Sequence, residues 1–120
     1  MIDDSRPIFI QIAEHIEDAI VQGTLDTGDQ APSVSELARF FRVNPATAVK
    51  GVGELVARGV LVKRRGVGMF VAPDARAAVT TARAAHFESS FVTPLLAEAA
   101  KLGIDRDRII DMIADKGEDK

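Results

Sequence analysis

Isoleucine recurs at every fourth position near the start of the chain, at Ile8, Ile12, Ile16 and Ile20. This spacing places the four side chains on one face of a helix, because a helix completes a turn in about 3.6 residues. Pro7 fits the start of that helix, since the N–H that proline lacks has no partner in the first turn. Gly23 fits its end. The pattern predicts a first helix with one buried face.

Two shorter helices are predicted next, with a break of only a few residues between them. Ser33 and Glu36 match the capping box, in which two residues at a helix start bond each other's backbone N–H groups. Asn44 and Pro45 are typical of a second helix start, and Gly59 is typical of its end. Two helices joined by so short a break indicate a helix-turn-helix.

Two β-prone runs at 60–64 and 69–72 flank a short segment that contains Gly66 and Gly68. Glycines between two such runs are typical of a tight reversal, so this region predicts a β-hairpin. The order of helix, helix-turn-helix and hairpin is that of a winged helix. The predicted fold class is therefore mainly α with a small β-hairpin, and residues 5–73 are predicted to form a winged helix-turn-helix domain.

Alanine becomes frequent after Pro73, and alanine is the best helix former. The pattern predicts a helical tail over residues 74–120, with one helix from about Asp74 to Leu102 and a last helix that Asp105 caps. Pro94 lies inside the first of these helices. We expect it to kink or split that helix, because it removes a hydrogen bond and clashes with the preceding turn.

Charge is distributed unevenly along the chain. The net charge of the 120 residues is −3. Seven bases and two acids between Gln30 and Pro73 give that stretch +5 (seven minus two), so the remainder carries −8. A locally basic winged helix is the electrostatic footprint of a protein that binds double-stranded DNA.

Other classes of protein have few features to support them. The absence of cysteine excludes disulfides and thiolate metal sites. His15 and His86 have no second ligand nearby in the sequence, so neither a metal nor a cofactor is expected. The sequence contains neither a glycine-rich phosphate loop nor a Ser/His/Asp set, so nothing in it indicates an enzyme. No apolar run is long enough to span a membrane and no signal peptide pattern is present, so we expect a cytoplasmic protein.

Six motifs between Pro7 and Val71 have an order and spacing that resemble the winged helix-turn-helix domain of the GntR family of bacterial regulators. They are Pro7-Ile8-Phe9-x-Gln11-Ile12, Gly23-Thr24-Leu25-x-x-Gly28-Asp29, Pro32-Ser33-Val34-x-Glu36-Leu37-Ala38, Asn44-Pro45-x-Thr47, Glu54-Leu55-x-x-x-Gly59 and Arg64-Arg65-Gly66-x-Gly68-x-Phe70-Val71. The short two-helix tail is similar to that of the YtrA subfamily.

The resemblance implies a transcription regulator, expected to be a repressor, that binds a near-palindromic operator in double-stranded DNA as a homodimer. The second helix of the helix-turn-helix is expected to enter the major groove, and the hairpin tip a minor groove. The predicted DNA-binding residues are Ser33, Ser35, Arg39, Arg42, Asn44, Ala46, Thr47, Lys50, Arg64, Arg65, Gly66 and Gly68.

In the YtrA subfamily a tail of this kind implies dimerisation. The predicted dimerisation residues are Phe87, Phe91, Val92, Leu95, Leu96, Ile109 and Ile113. A further hypothesis is a small apolar effector of unidentified chemistry. We expect it near the junction of the winged helix and the tail, where small alanine side chains leave space.

Two departures from the family pattern leave a second function open. The family usually has arginine where this chain has Ser35, and it often has arginine at the start of the helix that Asn44 opens here. The alternative is a winged-helix module that binds another protein and not DNA. Salt dependence separates the two functions, because affinity for DNA falls steeply as salt rises.

Overall fold

The computed structural model describes residues 5–118. It is mainly helical with one two-stranded antiparallel hairpin, which confirms the predicted fold class. Its elements are α1 (Ile8–Gln22), α2 (Val34–Phe41), α3 (Pro45–Ala57), β1 (Leu61–Arg64), β2 (Gly68–Val71), α4 (Ala75–Ala85), α5 (Thr93–Leu102) and α6 (Arg106–Glu118), with a π-helical turn at Glu88–Val92. The chain divides into two compact units, one up to Ala82 and one from Arg83.

The first unit is built around the apolar face of α1. Ile12, Ile16 and Ile20 are fully buried, as their spacing predicts. Leu37 from α2 and Leu55 from α3 are buried in the same core, which the hairpin also joins. Burial of side chains of this size is the main force that holds the elements together, and it fixes α3 against α1 and α2.

The predicted starts of both helices of the helix-turn-helix are confirmed. The Ser33 hydroxyl accepts a hydrogen bond from the Glu36 N–H at 3.1 Å, and the Glu36 carboxylate accepts one from the Ser33 N–H at 2.9 Å. The Asn44 side-chain oxygen accepts from the Ala46 N–H at 2.8 Å, with Pro45 in the first turn of α3. These caps satisfy N–H groups that a helix start otherwise leaves unpaired.

The hairpin has the predicted location, although β1 begins one residue later than expected and β2 lies one residue earlier. Leu61 pairs with Val71 and Arg64 with Gly68, and the turn is closed by a 2.9 Å bond from the Val67 N–H to the Arg64 carbonyl. Residues 65–67 therefore form a three-residue loop beyond the last strand pair. This is the element that a winged helix uses as its wing.

The start of α4 packs on the first unit. Val79 is buried in the core of that unit. The Arg76 guanidinium donates to the Ile20 carbonyl at 3.0 Å and lies 2.6 Å from the Asp26 carboxylate. The alanine-rich stretch thus contributes its first turns to the winged helix, while the functional division of the chain after Pro73 stays a prediction.

The helix expected to run through Pro94 is split. α4 ends at Ala85, and α5 begins at Thr93, whose N–H donates to the Glu88 carbonyl across the π-helical turn Glu88–Val92. Such a turn bonds each N–H to the carbonyl five residues earlier and is a common site of helix bending. The wider turn accommodates a proline that has no N–H and clashes with the carbonyl one turn before it.

The second unit ends in two helices that share a small buried centre. Gly103 ends α5 in the left-handed conformation, with φ at 71°, which suits glycine because it has no Cβ. The Asp105 side chain accepts from the Arg108 N–H at 2.9 Å, which confirms the predicted cap of α6. Ala99 and Ile109 are the buried apolar residues of this unit within the described part of the chain.

Candidate nucleic-acid interface

The N-terminal part of α3 forms an exposed edge of polar and small side chains. Ala46 and Lys50 are exposed and Thr47 is half-buried. Asn44 is also exposed, and because its oxygen caps the helix, its amide group remains available as a donor. A helix that exposes the side chains of its first turns is the element with which helix-turn-helix proteins contact bases in the major groove.

The position of α3 depends on a glycine that the sequence analysis missed. A Cβ atom at Gly51 would lie 2.8 Å from the Phe9 carbonyl oxygen and 3.1 Å from the Ile12 Cβ. The backbones of α3 and α1 therefore approach as closely as glycine alone permits. A glycine inside a helix carries no local signal of such packing, because the signal lies in the neighbouring helix.

Three of the predicted phosphate contacts lie on or just after α2. Ser35 and Arg39 are exposed, and Arg42 ends the helix in the left-handed conformation with φ at 56°. The backbone N–H of Ser33 and then its hydroxyl hold the pKa of the Glu36 carboxyl below its usual value of 4.5, and Arg39 acts in the same direction. The ionised Glu36 weakens the attraction for phosphate at the start of α2, so the cations further along the helix supply most of the attraction.

The hairpin tip is exposed and cationic. Arg64, Arg65 and Gly66 lie at the surface, and Gly66 has φ at 75°, a conformation that glycine adopts without strain. Gly68 is half-buried with φ at 141°, and a Cβ atom there would lie 2.5 Å from the Gln30 amide nitrogen. Gly68 therefore has a structural reason to be glycine in addition to its predicted contact with DNA.

One base of the basic stretch is paired with an acid. The Arg58 guanidinium, just after α3, lies 3.0 Å from the carboxylate of Glu17, which is only 6% exposed. Counting charges along the stretch missed this pair because Glu17 belongs to α1. Within residues 5–118, Lys50, Arg64 and Arg65 take part in no ion pair. Among the same described residues Arg39, Arg42 and Lys63 take part in none either, so unpaired positive charge lies on α2, near the start of α3 and along the hairpin.

The second unit exposes a large apolar surface. Five of the seven predicted dimerisation residues are exposed, namely Phe87, Phe91, Val92, Leu95 and Ile113. Leu96 is half-buried and Ile109 is buried within the unit. Exposed apolar side chains that the sequence analysis did not select are Leu102, Ile110 and Met112. Their number in so short a segment indicates a surface that contacts something else.

Other kinds of site are not seen in the described residues. Within residues 5–118, no group of three or more His, Asp or Glu side chains is placed to hold a metal ion. His15 instead contacts the rings of Phe40 and Phe41, each with ring centroids 5.2 Å apart. No helix in this part of the chain has the length and apolar character needed to cross a membrane.

Comparison with known families identifies the first unit. Residues 10–71 match the model of bacterial regulatory proteins of the gntR family. The chain belongs to the GntR family. The matched region begins in α1 and ends in β2, so it includes the helix-turn-helix, the hairpin and each predicted DNA-binding residue.

Two curated relatives extend the comparison. The chain is 41% identical over 71 residues to YhcF of Bacillus subtilis (strain 168), an uncharacterised HTH-type transcriptional regulator, covering 59% of each. It is 27% identical to the HTH-type transcriptional repressor YtrA of the same organism, covering 91% of this chain and 83% of YtrA. The match to YtrA includes the tail, which confirms the predicted resemblance to that protein.

Solved structures show the same fold. A GntR family transcriptional regulator from Listeria monocytogenes matches with a TM-score of 0.77 and 33% identity, covering 95% of this chain and 98% of that one. AraR(DBD) in complex with operator ORE1 matches with a TM-score of 0.54 and 36% identity, covering 56% of this chain and 82% of that one. The first covers both units of the chain, and the second about half of it.

Proposed function

We propose that the chain represses transcription as a homodimer that binds a near-palindromic operator through its winged helix. The observation that carries the proposal is the unpaired positive charge at the start of α3 and the hairpin tip. The similarity to AraR(DBD), crystallised with an operator, and to the repressor YtrA supports it. Such a protein acts in the cytoplasm, where bacterial DNA lies, and the proposed function includes no catalytic step.

In the proposed complex the N-terminal part of α3 supplies the contacts to bases. Ala46 and the methyl group of Thr47 pack on thymine methyl groups, which are the apolar feature of the major groove. Lys50, one turn further on, reaches a guanine or a phosphate. Asn44 contacts DNA through its amide group, because its oxygen is used in the helix cap. These four residues determine which operator sequence is bound.

The residues of α2 hold the protein on the DNA backbone. Arg39 and Arg42 pair with phosphates, and Ser35 donates a hydrogen bond to one. The Ser33 hydroxyl accepts from the Glu36 N–H and keeps its own hydrogen for a phosphate oxygen. Contacts of this kind fix the register of the protein on the duplex and carry no sequence information.

The hairpin tip enters a neighbouring minor groove. Arg64 and Arg65 are attracted to the negative potential of a narrow minor groove, which is strongest in A·T tracts. Gly66 and Gly68 keep the hairpin thin, so that the backbone approaches the groove closely. The wing therefore adds affinity and a preference for A·T-rich flanks.

Dimerisation is assigned to the tail. Phe91 and Ile113 are 65% and 62% exposed, and they belong to a group of exposed apolar side chains larger than a monomer usually leaves in so short a segment. Covering them with a second copy of the tail removes this surface from water. Two copies place two winged helices on one duplex, which is why the operator is expected to be nearly palindromic.

A small apolar effector is a further part of the proposal. The tail contains an open cavity of about 490 Å³, lined mainly by apolar side chains such as Leu95, Leu102 and Met112. It lies between α5 and α6 within the second unit, and not at the junction where the sequence led us to expect the effector. Its size is in the range of ordinary small-molecule sites. An increase in the melting temperature of the full chain with one member of a panel of small apolar compounds supports this part. No shift with any of them counts against it.

The alternative function, a winged helix that binds a protein, is favoured by one observation. Ser35 is exposed and uncharged at a position where the family usually has arginine. Without that cation, α2 has less attraction for phosphate. If the partner is a protein, the binding affinity should change little with salt concentration, whereas affinity for DNA should fall steeply as salt rises.

Selection from a pool of randomised duplexes tests the proposal. The full chain should enrich a near-palindromic sequence, which then serves as the probe for fluorescence anisotropy. Arg39→Ala should weaken binding to all sequences and reduce the salt slope by about one, while Thr47→Ala should relax the preference at one base position. Arg108→Ala in the tail is the matched control and should bind like the wild type. Enrichment of no sequence would contradict the proposal.

A further inference from the structure

Two cations of the winged helix lie on aromatic rings. The Lys50 ammonium nitrogen lies 4.1 Å from the centroid of the Phe9 ring, and the Arg64 guanidinium carbon lies 4.4 Å from that of Phe70. Both distances are within the range, up to about 6 Å, in which the face of a ring attracts a cation. Both cations belong to the predicted DNA-binding set, whereas neither phenylalanine does.

The Phe9–Lys50 contact follows from the close approach of α1 and α3. Gly51 brings the backbone of α3 within contact distance of the Phe9 carbonyl. Lys50 precedes that glycine in α3, and its ammonium group reaches the half-buried Phe9 ring. The packing that positions α3 therefore also determines what its first cation contacts.

The Phe70–Arg64 contact follows from the register of the hairpin. Phe70 pairs with Val62, and side chains two residues apart on a strand point to the same face, so Arg64 is the diagonal neighbour of Phe70. The residue directly opposite Arg64 is Gly68, which has no side chain. The Arg64 side chain therefore has open space across the hairpin and packs over the Phe70 ring.

We propose that Phe9 and Phe70 are positioning residues for DNA binding, each of which orders one cation without neutralising its charge. A carboxylate partner has the opposite effect, as at Arg58 and Arg76, whose charges are offset by Glu17 and Asp26. A ring leaves the full charge available to phosphate or base edges. The inference rests on the proposed function and adds a cause for the geometry of its cations.

The benefit of a ring is a smaller entropic cost of binding. Lysine and arginine side chains are flexible, and ordering one on a partner costs about 0.5–1.5 kcal/mol. A ring that already restricts the side chain removes part of that cost. An exposed contact of this kind predicts that losing the ring weakens DNA binding roughly two- to fivefold.

Double-mutant cycles in the full chain test the inference, with the duplex selected by the wild type as the probe. Phe9→Leu should weaken binding roughly two- to fivefold in the wild-type background and not at all in the Lys50→Met background. Phe70→Leu should behave in the same way with Arg64→Met. Equal losses in both backgrounds would show that the rings act only through the fold, and would overturn the inference.

Rescue and control variants make the result specific. Phe9→Tyr and Phe70→Tyr keep the ring face and should bind within about twofold of the wild type; losses equal to those of the leucine variants would contradict the inference. Phe40→Leu is the control, because the Phe40 ring contacts His15 and Phe41, and within residues 5–118 no lysine or arginine cation lies over its face.

Two further results separate the possible failures. Urea unfolding checks that each variant is folded, and Phe9→Met replaces Phe9→Leu in the cycle if the latter is not. If the wild type enriches no duplex, the proposed function fails and the inference fails with it. If the wild type binds and the cycles are additive, the inference alone fails.

Discussion

The two units of this chain use their apolar side chains in opposite ways. In the first unit Ile12, Ile16 and Ile20 are completely buried by α2, α3 and the hairpin. In the second unit Phe87, Phe91 and Leu95 recur every fourth residue, as the isoleucines of α1 do, yet they are 58%, 65% and 46% exposed. Periodicity therefore identifies an apolar face, and only the neighbouring elements determine whether the same chain buries it.

This difference has a functional meaning under the proposed function. A winged helix that is stable by itself presents rigid side chains to DNA, because its core fixes α3 and the hairpin. A tail that leaves its apolar face exposed gains stability from a second copy. If the tail associates as proposed, substitutions in the two units should differ in kind.

The largest expected effect is the loss of stability caused by a cavity in the first unit. Ile16→Ala should lower the free energy of unfolding by about 2–5 kcal/mol, because Ile16 is completely buried and the space it leaves cannot be refilled. Urea unfolding of the full chain measures it. The matched substitution Ile113→Ala in the tail should change stability only in a way that depends on protein concentration. A concentration-independent loss of similar size at Ile113 would contradict the comparison.

The next effect is the loss of the dimer. Phe91→Asp should convert the chain to a monomer, because an interface that covers this position would bury an unpaired charge. Sedimentation velocity measures the mass of the species. Phe40→Asp is the matched control, since Phe40 is 58% exposed in the first unit and its substitution should leave the dimer intact. Unchanged sedimentation of Phe91→Asp would show that the interface lies elsewhere.

A smaller effect is a change in stability that should have opposite signs at two glycines of α3. Gly51→Ala should destabilise the chain by about 1–3 kcal/mol, because the added Cβ meets the Phe9 carbonyl at 2.8 Å. Gly53→Ala should stabilise it by about 0.5–1 kcal/mol, because a Cβ atom added at Gly53 would meet nothing outside its own helix within 4 Å and alanine favours the helix. Thermal unfolding of both variants measures the difference. Shifts of the same sign would indicate that α1 and α3 are not packed as closely as described.

The smallest effect concerns the capping box and pH. The bonds from Ser33 lower the pKa of the folded-state Glu36 carboxyl below 4.5, so their stabilisation is present above that pH and is lost as the pH falls through the lowered value. Glu36→Gln should therefore lose less stability on acidification than the wild type. Urea unfolding over this pH range measures the difference, and parallel curves would contradict it. Ser33→Ala should cost about 1 kcal/mol at neutral pH.

Features coded by neighbouring residues could be predicted from the sequence. The capping box of Ser33 and Glu36, the Asn44 cap and the glycine-containing hairpin each depend on residues within a few positions. Their physics is local, since a side chain at a helix start satisfies the N–H groups beside it. The fold class and the family follow from several such signals in order.

Contacts between distant positions could not be predicted in this way. Arg58 and Glu17 are 41 positions apart, and Arg76 contacts the Ile20 carbonyl across 56. Nothing beside Arg58 in the sequence indicates that its charge is paired, so counting it with the basic face was an overestimate. The Phe9 ring beneath Lys50 was missed for the same reason, because it comes from α1. The Phe70 ring beneath Arg64 is near in sequence and was missed because the contact depends on the exact register of the two strands.

Titration of the full chain onto the selected duplex at several salt concentrations tests the central claim most directly. Affinity should fall steeply with salt, and Arg64→Ala/Arg65→Ala should weaken binding and reduce the slope by about two. Arg106→Ala/Arg108→Ala removes the same charge from α6 and should follow the wild type. Affinity that changes little with salt, or equal losses in the two double variants, would contradict DNA binding by the winged helix and favour a protein partner.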